Sequence, residues 1–335
     1  MRSFVSLILT FWAVAATAQD WEERQVFSSG AAGAEPLRVL SSTDVALFEP
    51  VLESFLQTHP AVEVEYLVTS TADLDRIFRA DPAAYDVVIS SAMDLQLKLA
   101  NDGLALQLEE VVYPAQAQWR QSLFAFTTEA AAIVLNRAAF AGQALPTTRQ
   151  GLIQALRADP EMFRGRVGTY DVRQSGLGYL FATQDARASE TFWRLTEVMG
   201  ALDARLYCCS GQMIEDVAAG ELLVAYNVLG SYAAARGDLA DKIEIIQPAD
   251  FPTTMMRTAF VSKRSARPDP AIDFVRHVIA VQSADAGEDG FPLPPLAQTA
   301  LPSTIALEPA LITYLDQLKR RTFIREWESA IIQGP

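Results

Sequence analysis

Two hydroxyl-rich turns stand out for the chemistry they could do. Leu37-Arg38-Val39-Leu40 runs into Ser41-Ser42-Thr43-Asp44 and then into the amphipathic stretch Val45 to Thr58. Tyr85-Asp86-Val87-Val88-Ile89 runs into Ser90-Ser91 and then into Met93 to Asp102. Each reads as strand, turn, helix. A helix N-terminus exposes unpaired N–H groups and the positive end of the helix dipole, so hydroxyls placed there make a site for an anion or a polar ligand. Serine is also an ordinary N-cap. Two parallel copies of one design put a ligand-site reading beside that plain one, with Ser41, Ser42, Thr43, Ser90 and Ser91 as candidate contacts.

The second half of the chain offers more of the same. Tyr170 to Gly178 places Tyr170, Ser175 and Gly176 around a turn and a helix start, and Asn227 follows the apolar run Leu222 to Tyr226. Ser210-Gly211-Gln212 is a further candidate loop. Arg257 is either a surface residue or a cation that clamps an anionic ligand bidentately. Tyr226 and Tyr232 fit core packing with a wet tip as well as a site. Cys208 and Cys209 are the only cysteines, and they are adjacent. A bridge between neighbours is strained, since a trans peptide holds their Cα atoms about 3.8 Å apart. A vicinal disulfide and a pair of free buried thiols both stay open.

Enzyme chemistry finds few residues to work with. His59 precedes a proline at a helix end, and His277 lies mid-helix beside Arg276. The chain has no Cys/His ligand spacing, Walker loop or dinucleotide fingerprint, and no Gly-x-Ser-x-Gly elbow. An exported hydrolase, the reading from another class, would need a nucleophile beside a base. The expectation is a binding protein with no catalytic residue, no cofactor and no metal.

The elements that must hold these loops follow from periodicity. Val62, Val64, Tyr66 and Val68 alternate with Glu63 and Glu65 as in a half-buried strand, and a short helix covers Ala72 to Arg79. Alternating strands and helices imply a parallel α/β body. Leu123 to Asn136 reads as one long strand crossing into a second body. There Val167 to Tyr170, Leu222 to Tyr226 and Ile243 to Ile246 are strands. Thr258 to Ser262 brings the chain back, and helices cover Pro270 to Val281 and Pro309 to Ile332. The expected division is a signal peptide at 1–18, a flexible leader at 19–35, lobe 1 at 36–124 plus 254–335, and lobe 2 at 125–253.

Arg2, the apolar run Phe4 to Ala16 and Ala16-Thr17-Ala18 have the three parts of a secretory signal. That run is shorter than the ~20 residues a bilayer span needs. With Gln19 rather than a cysteine after the cleavage site, release into the periplasm is expected. The formal net charge of −14 excludes no small ligand but argues against nucleic acid and anionic membranes.

Over nearly its whole length the chain resembles the extracellular solute-binding proteins of ABC importers, in the ferric-iron-binding branch. The resemblance rests on the opening strand with Ser41-Ser42-Thr43, on Tyr85 to Ser91, on Gly220 to Asn227 and on Arg267-Pro268-Asp269-Pro270-Ala271-Ile272-Asp273-Phe274. It implies a type 2 periplasmic binding protein: two α/β lobes joined by two crossing strands, with the ligand in the cleft. The iron-binding members carry adjacent tyrosines after the second-lobe strand, whereas here Val228 and Leu229 follow Asn227. Fe(III) held by a tyrosyl pair is therefore not expected. A small anionic solute, an organic phosphate or carboxylate, is. The partner would be an ABC permease or, as in some relatives, a membrane histidine kinase that senses the closed form, and the protein should be monomeric.

Overall fold

The computed structural model describes residues 21–30, 35–109, 111–282, 291–297 and 303–333. The expected signal at 1–18 lies outside them. Two sheets organise the chain. The first holds β1 (Glu23–Ser28), β2 (Leu37–Ser41), β3 (Glu63–Val68), β4 (Val87–Ser90), β5 (Gln118–Trp119), β6 (Leu123–Ala125) and, late in the chain, β13 (Thr258–Val261). Their order is β1-β3-β2-β4-β13-β6-β5, with β3, β2 and β4 parallel and β13 antiparallel to both its neighbours. The second sheet runs β11 (Ile243–Ile246), β7 (Glu129–Asn136), β10 (Val224–Leu229), β8 (Val167–Tyr170), β9 (Arg205–Tyr207), and β12 (Thr254–Met255) pairs with the start of β7. No helix among the described residues is long and apolar enough to cross a membrane.

The parallel strands are apolar because helices cover them. Leu37, Val39, Val64 and Val87 are fully buried against Phe48, Leu52 and Phe55 of the helix Val45–Thr58 and Phe274 and Val278 of the helix Pro268–Val281.

Three expectations from the sequence need correction. The stretch 19–35 is not a flexible leader throughout, because Glu23–Ser28 pairs residue for residue with β3 along its open edge. Phe27 turns inward, and Arg24 joins Arg38 on the carboxylate of Glu65, at 2.6 and 2.7 Å. The Ser/Gly-rich flank hides a short strand that finds its partner only across the chain. Next, the long strand from Leu123 is two strands in different sheets. Phe126 to Thr128 carries the chain out of the first sheet, and Met256-Arg257 brings it back. The two crossings touch: the Phe126 N–H donates to the Arg257 carbonyl at 2.9 Å, and the Arg257 N–H to Thr127 Oγ1 at 3.1 Å.

Finally, the helix Gln317–Ile331 does not stay with lobe 1. Phe323, Trp327 and Ile331 bury into the second sheet's helical layer, where Phe323 meets Trp193 at 5.5 Å and Tyr179 at 5.5 Å between ring centres. Periodicity shows that a helix has an apolar face but not which body it will cover. Gly200 makes the docking close. A Cβ there would run into the Ala330 carbonyl and come within 2.9 Å of the Ile331 carbonyl, both backbone atoms. Gly200→Ala should therefore lower the urea midpoint by the equivalent of about 1–3 kcal/mol, the usual cost of overpacking. An unchanged midpoint would mean the terminal helix shifts freely.

Candidate functional cleft

The carboxyl ends of the strands in both sheets face one another across a narrow cleft. Ser42, Asp44, Thr69, Ser70, Thr71 and Ser91 line it from the first sheet, Tyr170, Ser175, Ser210, Leu229 and the two cysteines from the second. Ligands of open α/β sheets bind at strand carboxyl ends, where helix N-termini converge. Here the helices beginning at Val45, Thr71, Met93, Gly176 and Ser210 all start beside this cleft.

Of the predicted contacts, Ser42, Ser91, Tyr170 and Ser175 reach it. Ser41, Thr43 and Ser90 lie one layer behind. Ser41 Oγ accepts from the Tyr66 hydroxyl at 2.7 Å and the Thr43 N–H at 3.0 Å. Ser90 Oγ accepts from Ser42 Oγ at 3.2 Å and from the Ala92 N–H at 3.1 Å. These hydroxyls hold the turns rather than line the cleft. Gly176 sits at an approach between the lobes, where a Cβ would lie 2.9 Å from Leu95 Cδ1 and 3.1 Å from Thr71 Oγ1.

Two predicted contacts point elsewhere. Asn227 adopts a left-handed backbone, φ 62°, at a bulge in β10 where the register with β7 shifts. Its Nδ2 donates to Asp185 Oδ2 at 2.9 Å, in a buried network with Arg149 and the Tyr226 hydroxyl. The strand continues past Asn227 to Leu229, so no ligand loop begins there. Arg257 is fully buried and already neutralised. Its Nε and Nη2 each donate to Glu129 at 3.0 Å, Nη1 donates to Thr43 Oγ1 at 2.6 Å, and the Tyr232 ring lies over it at 5.7 Å. It ties the crossings together instead of clamping a ligand.

Cys208 and Cys209 are joined by a disulfide, with Cα atoms 3.8 Å apart. The pair is not buried: Cys208 is exposed, and both line the cleft at the N-terminus of the helix Ser210–Ala219.

The electrostatics were not foreseen. Glu22 and Asp44 stand at the cleft, and neither has an ion-pair partner among the described residues. Partial burial, then Asp44, Asp73 and Glu23, push the Glu22 carboxyl above its ordinary range. Glu23 is raised too, by burial and Asp44. Burial raises Tyr170 and Tyr232 above the ordinary phenol range. Among the described residues no group of three or more His, Cys, Asp or Glu is placed to hold a metal. His59 and His277 pack around Phe55, away from the cleft lining.

The sequence reading also missed Thr69-Ser70-Thr71. It follows β3 and opens the helix Thr71–Ala80, a third copy of the strand–hydroxyl–helix design. Its signal was present, in the run Val68-Thr69-Ser70-Thr71. Glu22 had none, lying in a segment read as leader.

No family model and no curated protein matches the sequence. Solved structures do. The substrate-binding protein of an ABC transporter from Agrobacterium tumefaciens superposes with a TM-score of 0.85 at 29% identity, over 92% of this chain and 98% of that one. AfuA from Actinobacillus pleuropneumoniae, solved with fructose-6-phosphate, gives 0.68 at 14% identity, over 89% and 99%. Iron-bound HitA from Pseudomonas aeruginosa gives 0.64 at 16%, over 88% and 99%. The last two show the fold alone. The chain has the two-lobed α/β fold of the periplasmic binding proteins, and its structural neighbours are substrate-binding proteins of ABC transporters and ferric-binding-protein-like members of that fold.

Proposed function

We propose that this chain is the periplasmic substrate-binding protein of an ABC importer and holds a small polar solute between its two sheets. The observation that carries the reading is the cleft itself: strand-end hydroxyls from both lobes meet across it, in the fold of the Agrobacterium substrate-binding protein. A solute touching Ser42 and Ser91 on one side and Tyr170 and Ser175 on the other stabilises the closed arrangement, because only that arrangement offers both sets of contacts. Closure bends the chain at the two crossings near Thr127 and Arg257, and the permease reads the closed form.

Helix N-termini without a side-chain cap, at Asp44, Ala92 and Cys209, favour an anionic solute. The lining otherwise opposes it, since Arg257 is neutralised by Glu129 while Glu22 and Asp44 carry no partner cation.

Replacing Ser42 and Ser91 together by phenylalanine fills the cleft from the first sheet. The solute that raises the melting temperature of the wild type should then give no shift, while the solute-free variant melts within a few degrees of wild type. A bound ligand at 100 times its Kd adds about 2.7 kcal/mol, so its loss is measurable. Retained stabilisation in the double variant would place the solute elsewhere.

A further inference from the structure

Resting on that reading of the cleft, we infer its ligand class. The cleft takes a solute that presents hydrogen-bond donors, hydroxyl or ammonium groups, to the Asp44 wall and a hydrocarbon face to the Cys208–Cys209 disulfide opposite.

The N–H groups that would catch an anion at the serine turns are already used. Thr43 N–H goes to Ser41 Oγ at 3.0 Å, Ser91 N–H to Ser42 Oγ at 3.3 Å and Ala92 N–H to Ser90 Oγ at 3.1 Å. Asp44 N–H goes to the Tyr232 hydroxyl at 3.4 Å. Across the cleft, Leu177 N–H goes to Thr71 Oγ1 and Gly178 N–H to Ser175 Oγ, both at 3.1 Å. Of the hydroxyls, Tyr170 and Ser210 share one hydrogen bond at 2.5 Å, which leaves one of their two protons free, and Ser70 donates to Asp73 at 3.0 Å. Beside the remaining hydroxyls and the helix N-terminus at Ser210, the charged side chains at the cleft are both acceptors. Asp44 Oδ1 accepts only from the Tyr232 hydroxyl, at 3.2 Å, and Glu22 has no side-chain partner among the described residues. A carboxylate accepts through two oxygens and donates nothing when ionised. An anion would meet two like charges there. A hydroxyl or ammonium donor meets acceptors that need one.

The opposite wall differs in kind. Leu177, Leu229 and the two linked sulfurs form its apolar part, beside the hydroxyls of Tyr170, Ser175 and Ser210. Sulfur is a weak acceptor, so a polar group turned to that apolar part would lose water without replacement. A hydrocarbon face loses nothing there and gains contact. The joined cysteines, one of them at the N-cap of the helix Ser210–Ala219, hold that surface at a fixed place on the rim.

The test is a melting series on the oxidised protein, followed by titration of every solute that stabilises it. Neutral sugars and polyols, amino sugars and short diamines are set against hexose phosphates, inorganic phosphate and citrate. A donor-bearing solute should stabilise, and its affinity should fall at least tenfold in Asp44→Asn and in Cys208→Ser/Cys209→Ser. Where the double serine variant fails to fold, the oxidised wild type is compared with the same protein reduced by a phosphine, and the tenfold loss is expected on reduction. Unchanged affinity after the cysteine change overturns the disulfide wall. Stabilisation by the anions alone overturns the ligand class. If that anion effect still disappears in Ser42→Phe/Ser91→Phe, the cleft reading survives; if it persists there, the cleft reading falls as well.

Discussion

Glu129→Ala should lower the free energy of unfolding by about 3–5 kcal/mol, the cost of leaving one member of a buried ion pair without its partner. Glu129 and Arg257 are both fully buried and meet through two parallel N–H···O contacts at 3.0 Å. Glu129 Oε1 also accepts from Thr127 Oγ1 at 2.6 Å, and Oε2 from Ser231 Oγ. One carboxylate therefore joins the outgoing crossing, the returning crossing and the second lobe, while Arg257 Nη1 reaches Thr43 of the first lobe. Removing it strands a guanidinium among Tyr66, Tyr232 and Thr43 with no route to water. Replacing both charges by apolar residues of similar size, Glu129→Leu with Arg257→Met, should cost less than either single alanine change, because the pair contributes little net energy beyond its own desolvation. A urea denaturation cycle over the four proteins measures this. A single-variant loss below about 1 kcal/mol would show that water reaches Arg257 and that the crossing is looser than it is drawn. Because the cluster spans both crossings, Glu129→Gln, which also leaves Arg257 without a counter-charge, should shift the balance between open and closed lobes as well, read as a changed solute affinity.

How much of this was legible in the sequence depends on the length scale of each signal. Helix and strand positions in the first lobe follow local patterns, and the structure keeps them: Val45–Thr58 is a helix with Phe48, Leu52 and Phe55 inward, and Val87–Ser90 is a strand running straight into the Ser91 turn. The serine turns were visible because strand, hydroxyl and helix are neighbours in sequence. Which hydroxyl of each turn faces the cleft was not. Ser41 and Ser42 are adjacent and chemically alike, yet one bonds Tyr66 and the other lines the cavity, because neighbouring residues at a strand end point to opposite faces. Arg257 misled for a different reason. Its charge suggested an anion, but its partner lies 128 residues earlier in the chain, and no local pattern pairs them. Glu22 and the edge strand β1 were lost together, since a strand that exists only by adding to β3 carries little periodicity of its own. Asn227 shows a third limit: a single left-handed residue in β10 turned the predicted contact into the second lobe's buried network.

The same long-range logic gives the fold a built-in pH response. Asp94 sits in the first turn of the helix Met93–Asn101, fully buried, and its Oδ1 has no hydrogen-bond partner among the described residues. Burial pushes its carboxyl up to about 7; backbone N–H groups and Arg320 pull it down, and Asp75 adds to the rise. A carboxyl with a raised folded-state value binds its proton more tightly folded than unfolded, so it costs no stability below about pH 4. The cost grows as pH rises and is complete above pH 7. The ceiling on that cost is about 4 kcal/mol, from roughly three pH units at 1.36 kcal/mol each. Asp94→Asn removes the titration while keeping the shape. The variant should match wild type near pH 4 and exceed it at pH 8 by an amount of order 2–4 kcal/mol in urea midpoints converted to free energy. The difference should open between pH 4 and 7 and stay flat above. Equal stability at pH 8 would mean the ionised carboxylate finds water or Arg320 after all, and the burial argument for this helix would fail. The neighbouring Gln96, whose Oε1 is likewise unpartnered, has no proton to lose. It therefore serves as the internal control: Gln96→Leu should change stability by the same amount at both pH values.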